Sequence, residues 1–466
     1  MMSAERPTIV DRPRTLLLLG ALAFAIVCQF ALALTLGPLS GEERARWSVT
    51  LFVCIGLSVS TATVLFAVYR LRAHAIGKGV LLAIMAAGLL MRLPYFGAGP
   101  MIEDDHFRYR LDGAITAHGL NPYKVAPKTF SEGTAPPAYA AVGAEGLSTI
   151  AGINFPELRT IYPGVAQLHF AVAYIIKPWS LDGLRAVILF CEIATALLGL
   201  RLLILLGLQH QWLALLWCNP LAAFSLTGQV HIDAALGPFL LIAVLAAMRT
   251  RGMLAGAAIG AAIGVKLWPV MLVPILLRAL DPRRWTQIAF LTAVGAVALI
   301  ACAPLLIASV TENSGLTAYA GGWQMNNMPY EWVSYAAYQL TDGPKLEPYL
   351  RAAAVLICAG LAVGLARTPV IDGRDLIRRL ALVAAAVFYL SPAQFPWYAS
   401  WFLPFAALTR NWALLVATAA LPSYFLFFPL AGTANGDLFP FWLSGLHLLP
   451  VIAVLLAQRP WRILPR

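Results

Sequence analysis

The chain is dominated by a series of uninterrupted apolar runs, the first from Leu16 to Leu36. A helix rises about 1.5 Å per residue, so a run of that length crosses a hydrocarbon core about 30 Å thick. Such runs recur along all 466 residues, 60% of them hydrophobic and only 12% charged. A water-soluble globule of this size does not carry so apolar a composition, so the chain reads as a polytopic helical membrane protein. The net charge of +11 sits beside the ends of apolar segments, where membrane orientation explains it better than nucleic-acid binding. No nucleic-acid partner is expected. Cys28, Cys54, Cys191, Cys218, Cys302 and Cys358 all lie inside apolar runs without CxxC spacing, which indicates neither a disulfide framework nor a zinc site.

The first run, preceded by Arg6, Arg12 and Arg14, is too long for a signal-peptide core and reads as an uncleaved span. Further spans are expected at Val49 to Tyr69, Val80 to Phe96, Leu184 to Leu206, Trp212 to Leu226, Ile232 to Met248, Met253 to Val265, Leu267 to Leu280 and Ile288 to Ile307. The series continues with Tyr349 to Ala366, Leu376 to Leu390, Tyr398 to Leu408, Trp412 to Phe428 and Phe441 to Ala457. The predicted fold is therefore all-α, a bundle of about 12 to 14 crossings. Assigning the Lys/Arg-rich connections to the cytoplasm alternates without a break if Tyr162 to Trp179 is re-entrant or lies along the outer face. Both termini then face inward. Three parts follow: three N-terminal spans in 1–96, an outer loop in 97–182 that carries an acidic helix, and the remaining bundle in 183–466 with outer loops 308–348 and 429–440. A connection as long as 97–182, rich in aromatics and proline, reads as a folded lid rather than a linker.

The stretch from Glu103 to Gly113, EDDHFRYRLDG, is the most informative. Asp104 can cap a short helix, and Gly119 with Asn121-Pro122 ends it. On that helix Asp105, Arg108 or Tyr109, and Asp112 share a face. A carboxylate in the first turn is stabilised by the helix dipole, so Asp105 suits a general base. Plainer roles are a cap for Asp104, a dipole partner for Glu103, and an ion pair of Asp112 with Arg108 or Arg110. A metal on Glu103, Asp104, Asp105 and His106 is disfavoured because consecutive residues on a helix diverge.

Polar residues also gather at membrane depth. Gly252, Gly256, Gly260 and Gly264 form a ladder for close helix packing that ends at Val265-Lys266-Leu267-Trp268-Pro269. Lys266 either snorkels or offers an ammonium to an anionic group such as a phosphate. The turn from Thr227 brings His231 and Asp233 to the same boundary, as an interface histidine and a helix cap or as parts of a site. Tyr162-Pro163-Gly164 with Gln167 and His169, Asn326-Asn327 with Trp332, and Ser391 to Tyr398 fall on the same side. Their aromatics serve either as interface anchors or as the walls of a sugar site, where amides read hydroxyls.

Taken in order, EDDHFRYRLDGAITAHGLNPY, PELRTIYPGVAQLHFA, GQVHIDA, VKLWPVMLVP and SPAQFPWYASWFLPF resemble the GT-C superfamily of membrane glycosyltransferases. They are most similar to the bacterial polyprenyl-phosphomannose-dependent mannosyltransferases related to glycosyltransferase family 87. The resemblance implies an inverting transferase that takes a sugar, often mannose, from a polyprenyl-phosphate carrier on the outer face of the cytoplasmic membrane. It passes that sugar to a hydroxyl of a cell-envelope glycolipid or glycan. It also implies that Asp105, at the D-x-x-R-Y pattern, is the base. Related sequences commonly carry Tyr-Pro-Pro at Tyr162-Pro163-Gly164 and an aromatic before the Asp-Gly pair, where Arg110-Leu111 stands here. On this reading Lys266, then Arg108, then His231 would hold the leaving phosphate. Asp104 would orient the base or the acceptor, and Trp397 with Tyr398 would line the sugar or carrier pocket. No metal or other cofactor is expected. A lipid or sugar transporter is the rival, and it predicts paired helix interruptions in two halves.

Overall fold

The computed structural model describes residues 12–310, 313–341 and 343–458. Arg6 and both chain ends lie outside the described residues. Among these residues the protein is helical and without strands, apart from one isolated bridge between Met325 and Ala393. Eight helices are long and apolar enough to cross a membrane: Arg12–Leu36, Trp47–Arg70, Lys78–Tyr95, Leu181–Leu205, Arg284–Ser309, Pro344–Ala366, Trp412–Leu430 and Leu438–Ala457. The pair Pro220–Gly228 and Ile232–Met248 makes a ninth if it is taken as one span bent by 108°. The protein is an all-α, multi-pass membrane protein.

This number is lower than the 12 to 14 crossings read from hydropathy. Proline accounts for much of the difference, because it removes a backbone donor and clashes with the preceding turn. Trp212 to Leu226 is divided at Asn219-Pro220 into Leu213–Trp217, Pro220–Ala223 and a wide turn over Phe224–Gly228. Leu267 to Leu280, with Pro269 and Pro274, becomes a tight 3₁₀ turn at Trp268–Leu272 and a short helix at Val273–Ala279. Tyr398 to Leu408 becomes the 3₁₀ segment Pro396–Trp401 and the helix Leu403–Thr409. Met253 to Val265 is the 12-residue helix Gly252–Ile263. Tyr162 to Trp179 contains Gly164–Ile176, whose 13 residues give about 20 Å, less than a hydrocarbon core.

The glycine ladder sets one helix against another at backbone distance. A Cβ on Gly252 would meet the Thr286 carbonyl at 2.2 Å, and one on Gly256 would meet the Phe290 carbonyl at 2.2 Å. Without those side chains Gly252–Ile263 lies directly on Arg284–Ser309, the small-residue packing that dispersion favours in lipid. At the ladder's end the Gly264 carbonyl accepts from Val165 N at 2.9 Å and Ala166 N at 3.2 Å. Lys266, two residues on, is thereby anchored to the segment that carries Tyr162.

The segment after the third span builds its own small core from Leu111, Ala114, Ile115, Val125, Phe130, Tyr139, Val142, Ile150 and Ile153. Its helix Asp105–Ala117 packs on Gly164–Ile176 so closely that a Cβ on Gly113 would reach the Phe170 carbonyl at 2.4 Å. Two buried groups clamp this segment to the break in the bent span. The Arg185 guanidinium donates to the carbonyls of Ala98 at 2.7 Å, Gly99 at 2.8 Å and Gly228 at 3.4 Å. The Gln229 Oε1 accepts from the backbone of Ile102 at 3.3 Å and Glu103 at 2.9 Å. Between Gln229 and His231, Val230 has φ 61°, a left-handed conformation that costs a β-branched residue on the order of 1–3 kcal/mol. That strain turns neighbouring side chains toward the acidic segment from one short break.

Candidate active site

Asp105 opens its helix, with its side chain 40% exposed. The Tyr109 hydroxyl, one turn on, donates to Asp105 Oδ2 at 3.1 Å, and the Tyr162 hydroxyl donates to Tyr109 at 3.2 Å. Tyr109 is held by stacking on Phe170 at 4.5 Å and edge contact with Tyr162 at 5.1 Å. Partial removal from water by the surrounding protein raises the Asp105 carboxyl above the ordinary carboxylate range. The Tyr109 hydrogen bond and the Lys266 charge oppose that rise, while Asp233 adds to it. The result is a stronger base than a solvated aspartate.

Its acidic neighbours are placed differently. Asp104 occupies the cap position, but its carboxylate makes no capping bond and accepts from Asn154 Nδ2 instead. Burial and then the Asp105 charge push it up to about 6. Glu103 lies against the Tyr424 hydroxyl, and burial, followed by the charges of Asp104 and Asp105, raises its carboxyl well above the usual range. His106 faces away toward Arg110, whose Nη2 donates to Nδ1 at 3.1 Å. Among the described residues no three His, Cys, Asp or Glu side chains form a metal-binding group.

The break at Gln229–His231 supplies the next layer. His231 is fully buried, with Nε2 3.8 Å from Asp105 Oδ2 and Nδ1 2.7 Å from the Ser225 carbonyl. Its ring stacks on Trp397 at 3.7 Å and 10°, and Trp397 stacks in turn on Phe395 at 4.5 Å. Asp233, 1% exposed, accepts from Lys266 Nζ at 2.9 Å and Trp401 Nε1 at 2.7 Å, both on Oδ1. Its Oδ2 has no hydrogen-bond partner, and the residue borders a small internal cavity shared with Arg92, Glu192, Thr195 and Ser400. The Lys266 ammonium lies over the rings of Tyr398 at 4.0 Å and Trp401 at 5.3 Å, where the aromatic faces attract it. The Tyr398 hydroxyl is 2.7 Å from that of Tyr319.

The structure therefore joins Asp105, Tyr109, Tyr162, His231 and Trp397 in one chain of contacts, and Lys266, Asp233, Tyr398 and Trp401 in a second. Three sequence-predicted residues stand apart from both: Asp104, held by Asn154, and Arg108 and Asp112. Arg108 donates to the carbonyls of Phe155 at 3.3 Å and Leu158 at 3.0 Å. Asp112, 2% exposed, accepts from Gln167 Nε2 at 3.1 Å, and Gln167 also donates to Thr160 at 3.0 Å. No salt bridge links Asp112 to Arg108 or Arg110 among the described residues, and Arg108 acts on it only through space.

The profile of glycosyltransferase family 87 matches residues 161–392. This chain belongs to glycosyltransferase family 87. It is a GT-C-like membrane glycosyltransferase, and glycan or lipid substrates follow from that membership. Neither a curated protein nor a solved structure matches it. The matched stretch includes Tyr162, His231, Asp233 and Lys266, while Asp105, Trp397, Tyr398 and Trp401 lie outside it.

Trp401, Tyr319 and Gln229 enter the transferase's site without having stood out in the sequence. The signal for Trp401 was its three-residue spacing from Tyr398. Along the 3₁₀ segment Pro396–Trp401, side chains at i and i+3 eclipse. The two rings accordingly stack at 4.0 Å and 21° and meet the ammonium together. Read as an α-helical span, the same residues would splay by about 60°.

Proposed function

We propose that the transferase moves a sugar, with mannose favoured, from a polyprenyl-phosphate carrier to a hydroxyl of a cell-envelope glycolipid or glycan, on the outer face of the cytoplasmic membrane. The observation that carries this reading is a hydrogen-bonded carboxylate, Asp105, within electrostatic reach of an ammonium, Lys266, itself held by Asp233 and two aromatic faces. Such a pair suits the two ends of a breaking glycosyl bond. Asp105 removes the proton of the acceptor hydroxyl as its oxygen attacks the anomeric carbon. The bond to the carrier oxygen breaks on the opposite face, and its electron pair passes to the phosphate, so configuration inverts. Lys266 stabilises the charge that gathers on that phosphate, in surroundings where low dielectric strengthens the attraction. Trp397, Tyr398 and Trp401, whose faces are taken up by His231, by one another and by the ammonium, form the rigid wall behind the sugar or carrier pocket and hold those groups in place.

Purified protein in detergent, given radiolabelled polyprenyl-phosphate mannose, a membrane glycolipid extract and a chelator, should transfer label to the glycolipid. Asp105→Ala should lower kcat by at least about a thousandfold, consistent with loss of a general base. Full activity of Asp105→Ala would place the base elsewhere, and failure to consume the donor would remove the carrier assignment.

A further inference from the structure

Asp233 uses one of its two carboxylate oxygens on the protein. Lys266 Nζ at 2.9 Å and Trp401 Nε1 at 2.7 Å both donate to Oδ1, while Oδ2 is buried with no partner among the described residues. A buried carboxylate oxygen without a donor is costly. Beside it lies an internal cavity of about 30 Å³, lined also by Arg92, Glu192 and Ser400. Two donors of that lining, Arg92 Nε and Ser400 Oγ, are likewise buried and without partners among the described residues. Four elements bring these groups together. Arg92 comes from the span Lys78–Tyr95 and Glu192 from Leu181–Leu205, Asp233 opens the second half of the bent span, and Ser400 lies in Pro396–Trp401. Arg92 is fixed in place: its Nη1 donates to the carbonyls of Gly88 at 2.7 Å and Trp217 at 2.9 Å, its Nη2 pairs with Glu192, and its guanidinium lies over the Trp217 ring at 4.0 Å. Glu192 Oε2 in turn accepts from the Thr227 hydroxyl. A water needs about 10–15 Å³ of such space and two to four polar partners. The cavity offers both.

We propose that this cavity is a water-binding site, in which an ordered water accepts from Arg92 Nε, donates to Asp233 Oδ2 and bonds the Ser400 hydroxyl. Arg92, Glu192 and Ser400 then become positioning residues for Lys266, a role that rests on the reading of Lys266 as the group holding the donor phosphate. With no donor on Oδ2, the carboxylate charge is answered by Lys266 and Trp401 alone, and the ammonium is drawn toward Asp233. With the water in place, part of that charge is answered from the Arg92 side, and Lys266 keeps more of its field for an anion at the site. Because Arg92 is already paired with Glu192, the cavity side supplies hydrogen bonds without a net charge that would compete with Lys266 for the phosphate. An apolar group in the same space would supply none.

Electron cryo-microscopy of the full-length protein in lipid nanodiscs, at a resolution that shows ordered water, should find density within hydrogen-bond distance of both Asp233 Oδ2 and Arg92 Nε. Ser400→Val fills the space with methyl groups and should displace the water. With the carrier-linked sugar as donor, its kcat/KM should fall by about 5- to 150-fold, the effect of leaving a buried acceptor unpaired. Ser400→Ala removes one partner of the water but leaves the space, so its loss should be smaller, about 2- to 10-fold. A merely structural role for Ser400 would reverse that order, because a methyl-filled cavity packs better than an enlarged one. For the same reason Ser400→Val should melt no lower than Ser400→Ala while being the less active of the two. Should Ser400→Val not fold, the map of the parent protein decides alone. Absence of density bridging Asp233 and Arg92, or Ser400→Val as active as Ser400→Ala, would overturn the water site. Lys266→Met separates the two readings: full kcat/KM there removes the phosphate assignment and leaves the density of the parent map untouched, whereas an inactive Lys266→Met beside a fully active Ser400→Val removes only the role of the water.

Discussion

The glycine ladder converts a stability experiment into a test of how Lys266 is positioned. In Gly256→Ala the new methyl would lie 2.2 Å from the Phe290 carbonyl oxygen and 2.9 Å from the Ala293 Cβ. A carbon and an oxygen in ordinary contact stand more than 3 Å apart, so Gly252–Ile263 and Arg284–Ser309 must separate locally by about 1 Å. The obstructing atom is backbone and cannot rotate aside, so overpacking should cost about 1–3 kcal/mol. The facing helix supplies the control, because a Cβ on Gly295 meets nothing within 4 Å. Gly295→Ala should be neutral or should stabilise by up to about 1 kcal/mol through helix propensity. Unfolding of both variants in detergent, followed by tryptophan fluorescence against temperature, measures the difference. A displacement of about 1 Å carried along the ladder to Lys266 should also lower kcat by about 10- to 100-fold. If Gly256→Ala were as stable and as active as Gly295→Ala, the backbone contact would not hold Lys266 in place.

Two further outcomes follow from the site's hydrogen bonds. Trp401→Phe keeps an aromatic face over Lys266 but removes the 2.7 Å bond to Asp233; loss of one bond to a charged group, about 1.5–3 kcal/mol, should lower kcat/KM for the donor by about 10- to 150-fold, measured by donor titration, and an unchanged kcat/KM would exclude Trp401 from orienting the pair. Partial removal from water raises the Asp105 carboxyl, and the Tyr109 hydrogen bond works against that rise. Because the base acts only when deprotonated, activity should fall as pH drops through this raised value, above the ordinary aspartate range near 3.9. Tyr109→Phe removes the bond that favours the carboxylate, so the acidic limb of kcat/KM against pH should move to higher pH; a shift to lower pH would reverse the assigned role of Tyr109.

Hydropathy marked the long spans closely because their information is local. Leu16 to Leu36 falls within Arg12–Leu36, and Leu184 to Leu206 overlaps Leu181–Leu205. It drew as single helices apolar runs that are divided near proline, as at Pro220, Pro269 and Pro404. Hydropathy measures a residue's affinity for an apolar environment, and protein interior satisfies it as well as lipid does. Trp397, Trp401 and Phe402, all 5% exposed or less, are buried in protein around the site. The acidic helix was likewise legible from its cap position, its carboxylates and its stop at Gly119. The turn of Asp104 toward Asn154, 50 residues on, was not, because the cap pattern contains no information about a distant competing donor.

The amino-acid sequence by itself determined an all-α membrane protein, the short helix that begins at Asp105, and the glycine spacing that brings two helices to backbone distance. Each depends on residues within a few turns of one another. Tertiary structure alone decided that His231 faces Asp105, that Asp233 shares its Oδ1 between Lys266 and Trp401, and that Arg108 and Asp112 are occupied elsewhere. Those pairings join residues 33 to 168 positions apart. They exist because buried polar groups must find partners wherever the packed chain brings them, and no local pattern records which partner that will be.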